Sequence, residues 1–486
     1  MDKTCASKIH KWFSIQNIIA LIIVFCTIAS MLFSSRFLGN PNLLLFMVAV
    51  FLLTVTLVGK PFTLLNLLIL TSLLPISYKY SATIPDLFMF DYLISVMFLI
   101  LLLQTCCKGK ISIIRLSKVE VWLVLLLIVA GISILANIPN IERFGGIYLK
   151  IVLVGLLNLI YIVTVYFFVS RVVDTEEKFK SVVYLLLFIG FINGISGLYM
   201  FPQVGAGEFD KAISLIGPYE DTFNLMFPVF NLSLCSLLNI RMRRIKKWAL
   251  VFILFASSIL LFGTLKRSIW GMVFISSFII FTFKKGSKLS IKKMGYALLG
   301  LVCLVTVLLS NSVSRNKFFG KILSHPLDIG KGYGRGVLWK QGFEIFQNKP
   351  LIGTGIGSET FLGVIEKRIN VVISQKVISV AGVHNQYLTV AIEMGIIGLF
   401  IFLVFCFGVL HATHQVFKST ENEFFKVVSL AFFANAFSFF IISMNIGGGI
   451  LPVHDTLRTL LYFWIFCGLV GAIKRMEGCK TRWCQL

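Results

Sequence analysis

Three stretches hold ionisable side chains where an apolar chain least tolerates them. "FGTLKRSIWGM" (262–272) puts Lys266 and Arg267 between two apolar runs with almost no loop between them. "GYGRGVLW" (332–339) sets Arg335 between glycines, and "GVHNQYLTVAIEMGIIG" opens on His384 and Asn385 and carries Glu393 further along. Arginine forks onto phosphate oxygens. Glycine lets backbone approach a ligand closely, and histidine exchanges protons near neutral pH. Together these types suit an anionic, phosphate-bearing substrate and a proton transfer. Each also has a plainer reading. Lys266 and Arg267 could snorkel to an interface, and a lone histidine is more often structural than catalytic.

Glu393 stands apart. On a straight helix it would lie about 13 Å beyond His384 at ~1.5 Å per residue, rotated to the opposite face. That excludes a simple His384–Glu393 dyad. It shares a face with Asn385 and Thr389, a polar stripe expected to face other helices, with Gly395 and Gly398 allowing close packing below it. Asn385 could cap the helix. A supporting role for Glu393, Gly395 and Gly398 is the expectation.

Such residues need elements to hold them. The chain has 486 residues, 57% of them hydrophobic, well above the ~45–50% of soluble domains. Apolar runs lie near 14–34, 41–58, 62–77, 87–105, 120–137, 147–169, 181–200, 223–239, 248–264, 268–283, 294–311, 386–410, 427–446 and 457–473. Runs of about 18 or more read as membrane helices. The expected fold is an all-α polytopic membrane protein with about 12–14 transmembrane helices. The first run is too long for a signal peptide and lacks a cleavage site, so it reads as a retained helix.

Net charge is +24. Most of it falls in short loops on alternate sides, such as Arg241 to Lys247 and Lys284 to Lys293. That is the positive-inside pattern, which sets both termini in the cytoplasm and argues against nucleic acid as a partner. All ten cysteines fall in apolar runs or in loops on that side. Neither structural disulfides nor a zinc site is expected.

One long loop, 312–385, breaks the charge rule. It carries ten basic residues against four acids on the side where positive charge gains nothing. It reads either as a solvated surface or as a site for an anionic, lipid-attached substrate. Within it, "GVLWKQGFEIFQN" (336–348) places Trp339, Gly342, Phe343 and Phe346 on one face of an interfacial amphipathic helix. "LIGTGIG" follows, with Gly353, Gly355 and Gly357. It reads as a flexible turn, with a phosphate-cradling backbone as the sharper alternative. The organisation expected is four segments: 1–213, 214–311 with Arg267, the loop 312–385, and 386–486.

The stretch from "GYGRGVLWKQGFEIFQNKPLIGTGIGSETF" to "HNQYLTVAIEMGIIGLFIF" resembles the bacterial O-antigen polymerase and O-antigen ligase family. "FGTLKRSIWGM" and "GPYEDTFNLMFPVF" (217–230) are similar to two of its upstream segments. The resemblance covers roughly 217–446. The family has about twelve spans, against the fourteen runs counted here. It polymerises or transfers glycans carried on undecaprenyl diphosphate at the outer face of the cytoplasmic membrane, on a glycosyltransferase architecture of the GT-C type. The resemblance implies that Arg267, Arg335 and His384 are catalytic. Lys266, Trp339, Asn385, Asn224 and Tyr219 would bind substrate. A chain-length regulator and a flippase of the same pathway are implied as partners, with the bilayer itself.

The reaction this implies is an inverting glycosyl transfer. Two guanidiniums would neutralise the departing diphosphate and His384 would take the acceptor proton. No metal or other cofactor is expected. The donor would be an undecaprenyl-diphosphate-linked oligosaccharide. Phe-, Ile- and Lys-rich usage leans toward a capsule or teichuronic acid polymerase rather than a lipopolysaccharide ligase. Two alternatives stay open: a ligase with another lipid or a protein as acceptor, and a flippase. A flippase would spread its charges over many spans, whereas here they gather in late segments.

Overall fold

The computed structural model describes residues 60–71, 77–78, 87–88, 93–98, 100–101, 117–138, 146–204, 212–214, 217–240, 242–263, 267–283, 335–356, 383, 385–443 and 461–477. The described chain is a bundle of helices: α1 (Pro61–Thr71), α2 (Lys118–Leu135), α3 (Gly146–Val172), α4 (Glu176–Val204), α5 (Tyr219–Asn239), α6 (Arg244–Gly263), α7 (Arg267–Thr282), α8 (Arg335–Asn348), α9 (Gln386–Ser419), α10 (Glu423–Ile442) and α11 (Leu461–Met476). Two small antiparallel ribbons, Ser77–Tyr78 with Leu87–Phe88 and Ala212–Ser214 with Gly217–Pro218, are the strands among the described residues. Six helices, in α2, α3, α4, α6, α9 and α10, are long and apolar enough to cross a membrane. The molecule is an all-α polytopic membrane protein.

The apolar runs became helices because little else satisfies a backbone in hydrocarbon. Of the expected run at 62–77, residues 62–71 are helical and Ser77 is in a strand; of 87–105, residues 87–88 are in a strand and 93–98 and 100–101 are helical; the rest of both runs lies outside the described residues. The runs at 14–34, 41–58 and 294–311 lie outside the described residues. Most helices are apolar all round, so small residues select which faces meet. Gly468 of α11 sits where a Cβ would come 2.7 Å from Val169 of α3, and Gly194 of α4 where one would come 2.9 Å from Ala256 of α6. Aromatic rings fill the remaining interior. Phe405 of α9 stacks on the fully buried Trp464 of α11, and Phe432 of α10 on Phe466.

The bundle has two distinct ends. One gathers Ser117, Arg171 to Phe179, Phe283, Phe417 to Phe425 and Arg475 to Glu477. Phe179 packs on Phe425, Phe283 on Phe417 and Glu120 against Arg475. Among the described residues, ends of several loops that the charge pattern assigned to a single side therefore sit together. The starts of α5, α7 and α8, the mouth of α9 and the tail of α10 form the opposite end.

Candidate functional site

The opposite end is built around Phe439–Ser443, the last turn of α10. Asn385 caps α9 as expected, its side chain accepting from the Tyr387 and Leu388 amides at 3.1 Å each. The next amide, of Gln386, donates to the Ser443 carbonyl at 3.0 Å. The Tyr387 hydroxyl donates to the Phe440 carbonyl at 2.6 Å. His384 lies outside the described residues.

Three further helices start here. In α8, the Trp339 indole donates to the Val383 carbonyl at 3.0 Å, next to position 384. Gly342 lets α8 settle onto α9, since a Cβ there would lie 2.6 Å from Val383 and 3.1 Å from Ile392 and Leu388. Arg335 is the first residue of α8, one turn before Trp339. Arg267 is the first residue of α7. One turn on, Gly271 lies against Ile442 of α10. The Trp270 indole donates to the Phe262 carbonyl at 3.1 Å, closing the sharp turn from α6; Lys266, in that turn, lies outside the described residues. Tyr219 begins α5, where Phe223 stacks on Phe439 and Asn224 is half-buried. Residues widely separated in sequence thus reach one end of the bundle.

Helix α8 lays part of its apolar face on α9. Ile345 is buried and Trp339 and Phe346 are partly buried against Val383, Leu388 and Ile392. Phe343, expected on the same face, is 51% exposed beside that contact.

A departure from the expected helix is in α9. Gly395 has φ 69° and ψ −170°, which breaks the helix. An unbroken helix would give the Ile392 carbonyl to the Ile396 amide and the Glu393 carbonyl to the next one. Here the Ile396 amide donates instead to the Pro350 carbonyl at 2.8 Å. The freed carbonyls accept from the turn after α8: Thr354 N donates to Ile392 O at 2.8 Å and Gly355 N to Glu393 O at 2.9 Å. A Cβ on Gly353 would run into the Glu393 backbone, and one on Gly395 into Leu351. Two glycine turns interlock backbone to backbone. The glycine-rich turn is therefore no phosphate cradle at these positions. The amides of Gly353, Thr354 and Gly355 are given to the carbonyls of Lys349, Ile392 and Glu393. Gly357 lies outside the described residues.

The break also relocates Glu393. The half beyond it, Ile396–Ser419, is about 36 Å long at ~1.5 Å per residue. That alone spans a hydrocarbon core of ~30 Å. Val119 of α2 lies level with Gly408 of α9 and Ser133 level with Glu393, so the break falls where α2 ends. The first half of α9 must then bend over the end of α10, because Gln386 meets Ser443 there. Glu393 is fully buried at that bend and not within the crossing half, so a depth measured along a straight helix does not apply. The backbone from Gln386 to Met394 is helical, so Glu393 keeps a side in common with Asn385 and Thr389, and the Thr389 hydroxyl donates to the Asn385 carbonyl at 3.1 Å. The two glycines do not serve packing against neighbouring spans. Gly395 makes way for the turn, and Gly398 for Met394 of the same helix.

Two residues here escaped sequence reading. The Ser133 hydroxyl donates to the Glu393 carbonyl at 2.5 Å. The Asn137 amide donates to the Gly353 carbonyl at 2.9 Å and to the Ser133 carbonyl at 2.7 Å, and its oxygen accepts from Lys349 Nζ. Their only signal in the sequence is polarity at the end of an apolar run. Among the described residues no three His, Cys, Asp or Glu side chains gather as a metal site, and Cys235, Cys406 and Cys467 are buried free thiols.

No curated protein matches the chain. Residues 229–403 match the family model described as O-antigen ligase, about a third of the 486 residues. The match takes in Lys266, Arg267, Arg335, Trp339, His384, Asn385 and Glu393 and stops short of Tyr219 and Asn224. It covers α7, α8, the glycine turn and the broken half of α9, and so supports the O-antigen ligase and polymerase family, whose members act on lipid-linked oligosaccharides in membranes, for this chain.

Proposed function

We propose that the protein is a glycan polymerase acting on polyprenyl-diphosphate-linked oligosaccharides at the outer face of the cytoplasmic membrane. The observation that carries this reading is the meeting of α7, α8 and the mouth of α9 around the end of α10. It supports reading Arg267, Arg335 and His384 as parts of one site, since the helices that begin at the two arginines reach the same end as Val383 and Asn385. The starts of α7 and α8 also carry the positive end of the helix dipole, which suits a diphosphate beside the two arginines.

The donor's polyprenyl tail lies among the helices and its diphosphate lies between Arg267 and Arg335. His384 takes the proton from an acceptor sugar hydroxyl. The acceptor oxygen forms a bond to the anomeric carbon as the bond from that carbon to the diphosphate oxygen breaks. The electron pair leaves with the polyprenyl diphosphate, where the guanidiniums meet the growing charge, and the anomeric centre inverts. Lys266, Trp339, Asn385, Asn224 and Tyr219 line the approach, and Glu393 supports it. Capsule or teichuronic acid repeat units are the substrates this reading favours, delivered by a flippase and trimmed in length by a regulator of the same pathway. The family description itself favours a second reading, a ligase that passes the glycan to another lipid or a protein.

Reconstitution in vesicles with a defined polyprenyl diphosphate oligosaccharide tests both. Longer chains with released polyprenyl diphosphate support the polymerase. Transfer only to an added second acceptor supports the ligase. Movement across the bilayer with no new bond would make the protein a flippase and end both readings.

A further inference from the structure

We infer that Ser133 of α2 and Asn137, in the turn that ends it, are positioning residues for the transfer, holding the helix that starts at Arg335 against the mouth of α9. The inference rests on the role proposed above for Arg335 and His384. Helix α8 is about 21 Å long at ~1.5 Å per residue, and it is held at two places. Near its start, Trp339 is tied to the Val383 carbonyl. Just past its end, Lys349 is tied to Asn137. Asn137 also grips the glycine turn through the Gly353 carbonyl, and Ser133 grips the break in α9 through the Glu393 carbonyl. The end of α2 and the turn that ends it thus touch both halves of the interlock. Both side chains are buried, Ser133 at 0% and Asn137 at 1% exposure, so water cannot stand in for a lost bond. Releasing the Lys349 end lets α8 pivot and carries Arg335 with it. A misplacement of about 1 Å is enough to cost on the order of 100-fold in rate.

The test uses the full chain in lipid vesicles, with Asn137→Ala, Asn137→Asp and Ser133→Ala. Asn137→Asp keeps the acceptor for Lys349 and loses both donations, so it should fall between the wild type and the alanine variant. Backbone hydrogen exchange over 350–356 and at 396 should speed up in all three, least in Ser133→Ala. Turnover of a polyprenyl diphosphate oligosaccharide should fall, with kcat down on the order of 10- to 100-fold and the donor KM little changed. A purely structural role would lower the yield of inserted protein and leave kcat per inserted molecule alone; that result overturns the inference. So does unchanged exchange in Asn137→Ala, whatever the rate does. If the wild type itself does not turn over the donor, the functional reading fails, and the exchange measurement still decides whether α2 holds the turn. Should the Asn137 variants fail to accumulate, Ser133→Ala, which removes one hydroxyl, carries the same two readouts.

Discussion

The two ends of the bundle are held by different chemistry. At the end that collects the basic loops, side chains pair with one another and with local backbone amides. Ser117 and Glu120 form a capping box on α2. Glu120 faces Arg475 at 3.8 Å, and Lys178 pairs with Asp174 at 2.6 Å. The Arg171 guanidinium lies over the Phe167 ring, and Thr420 donates to Glu477. At the opposite end the ties among the described residues mostly engage a backbone group: Gln386 to Ser443, Trp339 to Val383, Tyr387 to Phe440, and the whole interlock between 350–355 and 392–396. An end held by main chain can change its side chains without losing its shape. An end held by charges has committed them to structure. This contrast, more than charge alone, is why the backbone-held end is the natural place for chemistry.

Breaking the backbone end directly should have the largest effect. The dihedrals of Gly395 fall in a region that is essentially glycine's alone, at a cost of about 1–3 kcal/mol for other residues. The overlap of a new Cβ with Leu351 adds to that. Gly395→Ala should lower the thermal unfolding midpoint in detergent and abolish transfer together. A variant with wild-type stability would mean that the interlock does not hold this end.

The next effect should separate shape from chemistry. Arg335→Gln and His384→Ala should each cut product formation by about 10²-fold or more, with unfolding and membrane insertion as in the wild type. Full polymer or ligation product from either variant would remove the arginine–histidine assignment. A parallel loss of stability would mean that charges hold this end as well.

What the sequence disclosed follows the same division. Spans such as 181–200 and 427–446 were legible because hydrocarbon leaves apolar runs little choice but helix. The Asn385 cap was legible because an N-cap is a local bond. The family was legible through the motifs around Arg267, Arg335 and His384, and the match over 229–403 supports it. The break at Gly395 was not. "EMGIIG" reads as helix on its own, and only the turn at 350–356 makes the left-handed glycine worth its cost. The apolar stripe of α8 was legible from its helical period, but that α9 covers the part with Trp339, Ile345 and Phe346 was not, because the period does not name the partner. Ser133 and Asn137 looked like the fraying end of a span because their partners lie more than two hundred residues away.

Smaller effects belong to the side-chain end and sharpen the contrast from below. Ser117→Ala removes the acceptor for the Glu120 amide and opens the capping box, at a cost of about 0.5–2 kcal/mol. It should show as a lowered unfolding midpoint with kcat per folded molecule unchanged. Lys178→Ala deletes a pair whose side chains are 34% and 59% exposed. An exposed pair one turn apart contributes only about 0.3–0.5 kcal/mol, and salt screens it further. The shift in unfolding should therefore be near the limit of detection in low salt and vanish in high salt, with transfer untouched in both. If Lys178→Ala slowed transfer as strongly as a change at Asn137, the two ends would be energetically coupled across the bundle, and the division of labour between them would have to be given up.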